Sequence, residues 1–157
     1  MKRLQAYKFE LMPNGEQQRK MRQFAGACRF VFNKALAWQK EQYAADQSNK
    51  FSYAKIANLL PAWKQDPASV WLTEAPSQAL QQTLKNLESS FKNFFAKRAD
   101  FPRFKKKGMG DSFRYPQGCK IEQHNNRLFL PKLGWLRYRN SRTVLGIIKN
   151  ITISQKN

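Results

Sequence analysis

Cysteine is scarce in this chain, with two in 157 residues, and histidine scarcer still, with one. Cys28 and Cys119 lie far apart, no Cys-x-x-Cys occurs and His124 is the single imidazole. Neither a disulfide framework nor a zinc site is therefore expected, and both cysteines read as ordinary reduced thiols. Long apolar runs are also missing. No stretch approaches the roughly 20 residues that cross a bilayer, and Met1-Lys2-Arg3-Leu4-Gln5 opens no apolar signal core. A cytoplasmic protein is expected. Carboxylates are few and dispersed: Glu10, Glu16, Glu41, Asp46, Asp66, Glu74, Glu88, Asp100, Asp111 and Glu122 stand singly. Hard metal ions need several converging carboxylates, and the G-x-x-x-x-G-K-[ST] phosphate loop is absent. No cofactor, no metal and no catalytic residue is expected in this chain, with His124 beside Asn125-Asn126 reading as a surface turn residue.

What is abundant is positive charge. There are 29 Lys and Arg against 10 Asp and Glu, so 29 − 10 gives +19, and the isoelectric point is near 10.3. That balance calls for a polyanionic partner. Hydrophobic residues make up 41% and aromatics 13%, including 12 Phe, more than a disordered basic tail carries. A chain of this length buries roughly two thirds of its unfolded surface, enough for a real core.

The pattern along the chain is strand, helices, strands. Residues 5–11 alternate, with Tyr7, Phe9 and Leu11 on one face and Lys8 and Glu10 on the other, as in a half-buried strand. Asn14 and Gln17 form a candidate capping box for a first helix reaching about Ala45, with Met21, Phe24, Cys28, Phe32, Ala35 and Leu36 at helical spacing. A polar break at 46–50 leads to a short helix over Ser52–Leu60, closed by Pro61. Thr73-Glu74-Ala75-Pro76 then offers a capping hydroxyl and a first-turn proline to a helix running to about Arg98. Its apolar stripe is Leu80, Leu84, Leu87, Phe91, Phe94 and Phe95, which reads as core. From Asp100 onward short β-type segments follow, at Ser112–Tyr115, Arg127–Leu130, Trp135–Arg139 and Ile147–Ser154, with turn residues between them. The fold class expected is α+β: a helical insertion of about three helices, residues 13–100, within a small, incomplete β-barrel made of residues 1–12 and 101–157.

Charge is concentrated. Residues 97–107 hold Lys97, Arg98, Arg103, Lys105, Lys106 and Lys107 against Asp100 alone, and no acid follows Glu122. These bases alternate with Phe101, Phe104, Phe113, Tyr115, Trp135 and Tyr138. Cations neutralise phosphates and rings stack on unpaired bases, so RNA or single-stranded DNA fits the mixture better than a generic polyanion. Some of these rings must fill the core instead. A membrane surface would require a helix with a Lys/Arg polar face, whereas the helix beginning near Pro76 carries Gln, Asn and Ser.

Several motifs resemble one family. The run Tyr7-Lys8-Phe9-Glu10-Leu11-Met12-Pro13, then Cys28-Arg29-Phe30-Val31-Phe32-Asn33-Lys34-Ala35-Leu36, is similar to the N-terminus of the OrfB/TnpB proteins of bacterial insertion sequences. So are Ala79-Leu80-Gln81-Gln82-Thr83-Leu84-Lys85-Asn86-Leu87, Phe91-Lys92-Asn93-Phe94-Phe95 and Phe101-Pro102-Arg103-Phe104-Lys105-Lys106-Lys107. Asp111-Ser112-Phe113-Arg114-Tyr115 and Leu130-Pro131-Lys132-Leu133-Gly134 complete the series in family order. The resemblance implies a relative of RNA-guided DNA nucleases, built from a wedge-type β-barrel interrupted by a helical recognition domain and continued by a RuvC-like nuclease domain and a zinc ribbon. Neither the nuclease carboxylates nor the zinc cysteines occur in this sequence. By this resemblance the chain is a truncated member with nucleic-acid-binding parts alone. A guide-dependent, nuclease-dead repressor and the binding half of a split nuclease are the alternatives.

The partners implied are DNA and structured guide RNA, with a transposase encoded nearby and no membrane. Arg103, Lys105, Lys106, Lys107 and Arg114 are the first candidates for phosphate contacts, followed by Lys132, Arg137 and Arg139 in the acid-free tail. Tyr53, Ser77, Gln78 and Gln81 fall in the region that resembles the family's reader of the target-adjacent motif, where a Gln can bond adenine bidentately. Gln81 reads equally as a solvated helix position, and Tyr53 equally as core.

Overall fold

A computed structural model describes residues 2–155. The chain enters extended, with Tyr7, Phe9 and Leu11 half-buried and Lys8 and Glu10 exposed, as alternation requires. Only β1, Leu11–Met12, is laddered, and it pairs with Tyr138 and Arg137. The strand expected over 5–11 is therefore mostly an extended lead-in, tied at one point by the Arg139 amide donating to the Glu10 carbonyl at 2.8 Å.

The capping box forms as the sequence indicates. Asn14 Oδ1 accepts from the Gln17 amide at 2.8 Å, and Gln17 Oε1 accepts from the Asn14 amide at 3.0 Å. It starts α1, Gly15–Ala45, whose stripe Phe24, Cys28, Val31, Phe32, Ala35 and Leu36 is buried. The expected short helix at 52–60 is divided into α2, Tyr53–Ala57, and α3, Leu60–Gln65. Pro61 opens α3 instead of closing a helix; in a first turn it removes only an amide that would have no helical partner.

A 3-10 turn at Val70–Glu74 precedes α4, Ser77–Phe95. The cap of α4 is Pro76, with no side-chain bond; the Thr73 hydroxyl instead donates to the Val70 carbonyl at 2.8 Å. α4 also ends earlier than Arg98. The Lys97 amide donates to Phe94 O at 3.0 Å and the Arg98 amide to Asn93 O at 2.8 Å, with Lys97 at φ 61°. This is a Schellman closure with lysine in the left-handed position that glycine favours. Past Phe91 the stripe leaves the core: Phe94 is half-buried and Phe95 exposed. α4 lies against α1 and β2, and Leu80, Leu84 and Leu87 are fully buried, each worth about 1.5–3 kcal/mol in burial.

Five further strands follow: β2, Ser112–Tyr115; β3, Lys120–Glu122; β4, Arg127–Leu130; β5, Gly134–Tyr138; and β6, Ile151–Ser154. β3 escaped the sequence reading because three residues are too few to show a period, and the segment expected over Ile147–Ser154 pairs only from Ile151. The strands make two antiparallel sheets, β1-β5-β4-β3 and β2-β6, and they do not close into a barrel among the described residues. The fold is α+β. One buried cluster joins its parts, with Phe24 of α1 edge-on to Phe113 of β2 at 5.8 Å and Tyr115 donating to the Pro131 carbonyl at 2.9 Å.

Candidate nucleic-acid interface

The basic run after α4 has no regular secondary structure, so something else must hold it. Asn33 of α1 does so. Its Nδ2 donates to the Lys105 carbonyl at 3.0 Å and its Oδ1 accepts from the Lys105 amide at 2.8 Å. The rings assist: Phe101 stands edge-on to Phe91 at 5.5 Å and to Phe94 at 5.1 Å, and the Lys40 ammonium lies 4.7 Å from the Phe104 ring centre. The segment is laid along α1 in a fixed register.

That register separates the candidate cations. Lys106 and Lys107 are exposed and in no ion pair among the described residues. Arg103 is exposed and 3.7 Å from the equally exposed Asp100, a pair worth little in water. Lys105 is exposed too but differs in that its ammonium lies 4.5 Å over the Phe32 ring, where partial desolvation lowers its pKa. Arg114 lines a cleft of about 200 Å³ with Arg29, Lys105, Asp111, Gln82 and Asn86. Arg29 pairs with Asp111 at 3.0 Å, whereas Arg114 Nε is buried without a partner. Asp111 Oδ2 also accepts from the Gly108 amide at 3.0 Å, which fixes the end of the basic loop.

A second group gathers at the start of α4. Ser77 Oγ is 3.2 Å from the Lys64 ammonium. Lys132, at φ 65° in the β4–β5 turn, donates to the Thr73 carbonyl at 2.6 Å and the Ala75 carbonyl at 3.1 Å. Lys64 is held below the usual lysine range by desolvation first and by Lys132 second. Gln78 sits under Gly118 with its Oε1 buried and unpartnered, and Gln81 is exposed one turn on. Tyr53 is half-buried on α2, its amide donating to Glu88 Oε2 at 2.9 Å and its ring 5.3 Å from the Lys85 ammonium.

Arg137 is exposed on β5, and Arg139 is exposed beside Glu10, at 3.6 Å. Of the rings singled out by the sequence, Phe101, Phe104 and Trp135 are exposed, while Phe113, Tyr115 and Tyr138 are core. Asn33, Arg29 and Lys40 were not singled out. Asn33 had a signal in its place beside Phe32 on the α1 stripe, but its partner, 72 residues on, had none. Among the described residues no three His, Cys, Asp or Glu side chains gather as a metal site would need, and no helix is long and apolar enough to cross a membrane.

The sequence pattern of a helix-turn-helix domain, HTH_OrfB_IS605, matches residues 1–48, the segment that holds β1 and α1. Over 156 residues the chain is 61% identical to a protein of Escherichia coli (strain K12) named as the RNA-guided DNA endonuclease InsQ, covering 99% of this chain and 38% of that protein. It is 36% identical over 100 residues to another protein named as an RNA-guided DNA endonuclease, from Streptomyces pristinaespiralis, covering 64% of this chain and 25% of the relative. Virulence protein VsdF of Salmonella dublin is 34% identical over 112 residues, 66% of this chain and 94% of that protein. The chain thus spans well under half the length of the two endonuclease relatives, and it belongs to the OrfB/TnpB family, corresponding to an N-terminal portion of its longer members.

Proposed function

We propose that this chain is the nucleic-acid-binding part of a TnpB-like protein, gripping guide RNA and target DNA without a nuclease site among its described residues. In this reading residues 13–100 are the helical recognition unit, and residues 1–12 with 101–157 are a wedge-type unit whose strands correspond to a small, open barrel. The observation that carries the reading is the basic loop: Arg103, Lys106 and Lys107 point outward from a backbone that Asn33 holds in register on α1. Cations pre-positioned in this way neutralise phosphates without first having to be ordered. The names of the two endonuclease relatives supply the ligand pair, RNA guide and DNA target.

The Arg114 cleft, which Lys105 also lines, and the Lys64–Ser77 pair are further candidate contacts, whereas the Lys132 ammonium is engaged by the Thr73 and Ala75 carbonyls. Gln81, exposed near Ser77, is placed to read a base edge, and Gln78 to support it. The Tyr53 ring, beneath Lys85, braces the α2–α4 contact. A protein with these partners works in the cytoplasm.

The test is binding by the purified full chain to structured RNA, single-stranded DNA and duplex DNA over a salt series. Tight, steeply salt-dependent RNA binding is the expected result. Absence of binding at 50 mM salt, or binding indifferent to salt, would overturn the reading. With Mg²⁺, guide and target present the chain should bind but not cut, and cleavage that survived rigorous purification would refute the absence of a nuclease site.

A further inference from the structure

Cross-strand neighbours in an antiparallel sheet share a face, so register sorts the side chains of the four-stranded sheet into two sets. Leu128 stands opposite both Ile121 and Leu136, and Leu11 opposite Tyr138; this is the buried side. The other side carries two rows. One runs Lys120, Phe129, Trp135; the other runs Glu122, Arg127, Arg137, Met12. Three cations and one acid therefore surround two rings, on a face where Trp135 is 37% and Met12 41% exposed.

The rings and cations are arranged rather than scattered. Phe129 and Trp135 are 5.6 Å apart at 60°. The Arg127 guanidinium lies 4.4 Å from the Trp135 ring, and the Lys120 ammonium 6.0 Å from Phe129. Glu122 accepts from Arg127 Nε, which fixes the guanidinium and neutralises the one acid within the face. The Gln17 side-chain amide donates to the Trp135 carbonyl at 2.9 Å, anchoring β5 through its backbone and not through the indole.

We propose that this outward sheet face is a stacking platform for an unpaired stretch of nucleic acid, Trp135 and Phe129 receiving bases and Lys120, Arg127 and Arg137 the flanking phosphates. The proposal rests on the reading of the chain as a nucleic-acid binder and gives that binder a second, chemically distinct site. The loop at 101–107 offers charge to any phosphate backbone. The sheet offers the partly exposed Trp135 indole beside the half-buried Phe129 ring, surfaces that only unpaired bases can stack on, because a duplex buries its own base faces. An arginine lying on an indole also widens the planar surface and places its charge beside a stacked base.

The test uses the full chain and fluorescence anisotropy at one salt concentration, with a 12-nucleotide oligouridine, oligothymidine of the same length, an abasic strand with the same phosphates, and a blunt duplex. Base-bearing strands should bind about tenfold or more tightly than the abasic strand. Trp135→Ala should erase that difference and leave abasic binding unchanged, Trp135→Phe should keep most of it, and Arg137→Gln should weaken both strands equally. The uridine and thymidine arms show whether RNA or single-stranded DNA is the better occupant. Equal affinity for base-bearing and abasic strands, or an equal loss on both in Trp135→Ala, overturns the platform while leaving general binding intact. If no strand binds, both readings fail. Should Trp135→Ala unfold, quenching of tryptophan emission by oligouridine is compared between the native chain and Trp135→Phe; loss of the quench in Trp135→Phe is the expected result, and equal quenching in the two overturns the proposal.

Discussion

The side-chain amide of Asn33 meets the backbone of Lys105 as a paired strand would, donating to its carbonyl at 3.0 Å and accepting from its amide at 2.8 Å across 72 residues of sequence. Two hydrogen bonds at about 0.5–1.5 kcal/mol each set the expected cost of Asn33→Ala at about 1–3 kcal/mol. The local effect should be larger than the global one. Hydrogen exchange at the Lys105 amide should accelerate well beyond that of the α4 core amides, because the loop has no ladder of its own. Unchanged protection at Lys105 would show that the Phe101 and Phe104 contacts hold the segment without the clamp.

The same clamp divides three consecutive lysines that the sequence presents as equivalent. All three are exposed, but Lys105 lays its ammonium over Phe32, while Lys106 and Lys107 make no such ring contact among the described residues. Replacing both Lys106 and Lys107 with Gln should therefore flatten the slope of log K against log[salt] for RNA by about 1.4–1.8, taking ~0.7–0.9 per contact. Lys105→Gln should flatten the slope by less than either of the other two does on average, part of its charge being held at the Phe32 ring. A binding series for the two variants checks the division, and an equal change per lysine would refute it.

How much of this was legible in the sequence depends on the range of the information. The capping box at Asn14 and Gln17, the end of α1 at Ala45 and the strands Ser112–Tyr115 and Arg127–Leu130 were legible, because each is written within a few residues. Pro61 was misread as a stop since a proline at a helix start and one after a helix end look alike locally. Of the proposed stacking face, Trp135 and Arg137 stand out in the sequence as a ring and a base in the acid-free tail, but their grouping does not. Alternation places Arg127 and Phe129 on one side of β4, but only register brings Trp135 and Lys120 beside them. The role of Lys132 was hidden for the same reason, its carbonyl partners lying 57 and 59 residues away.

Lys132 consequently carries an expectation opposite to that of a phosphate contact. It occupies a left-handed position in the turn, and its ammonium ties the β4–β5 turn to the segment before α4 through the Thr73 and Ala75 carbonyls. Lys132→Met should destabilise by about 1–2 kcal/mol, the range for losing charge-assisted bonds at a partly exposed site. The salt slope of RNA binding should not move. Urea unfolding combined with the binding series separates the two roles, and a flattened slope at unchanged stability would make Lys132 a ligand contact.

Lys97 supplies a stabilising test. Its φ of 61° closes α4 in the left-handed region, where a β-carbon is strained. Lys97→Gly should raise stability by about 0.5–1 kcal/mol, part of the relief being offset by the greater freedom of glycine in the unfolded chain. The measurement is the shift in urea midpoint at constant m-value. A fall in midpoint would mean that the lysine side chain contributes more than its backbone strain costs.

Alkaline pH should loosen the fold through its thiols and phenols. Burial pushes the Cys119 thiol up to about 11 from an ordinary 9.0. Burial also raises Cys28, against smaller opposing effects of Thr83 and Lys105. Tyr115 is raised as well, first by burial and then by the two neighbouring thiols. A group whose pKa is higher folded than unfolded holds its proton more tightly in the native state. Its stabilising contribution is complete below the unfolded value and disappears as pH climbs through the folded one. For Cys119 the window is pH 9 to 11, so the urea midpoint should fall across it. At pH 8 the thiolate fraction of folded Cys119 should be about a hundredfold below that of a free cysteine, two units being two decades. Alkylation of Cys119 by iodoacetamide in native buffer should be slower than in denaturant by about tenfold or more, the greater nucleophilicity of a higher-pKa thiolate offsetting part of the loss in thiolate fraction, and equal rates in the two solvents would place Cys119 outside the protected interior.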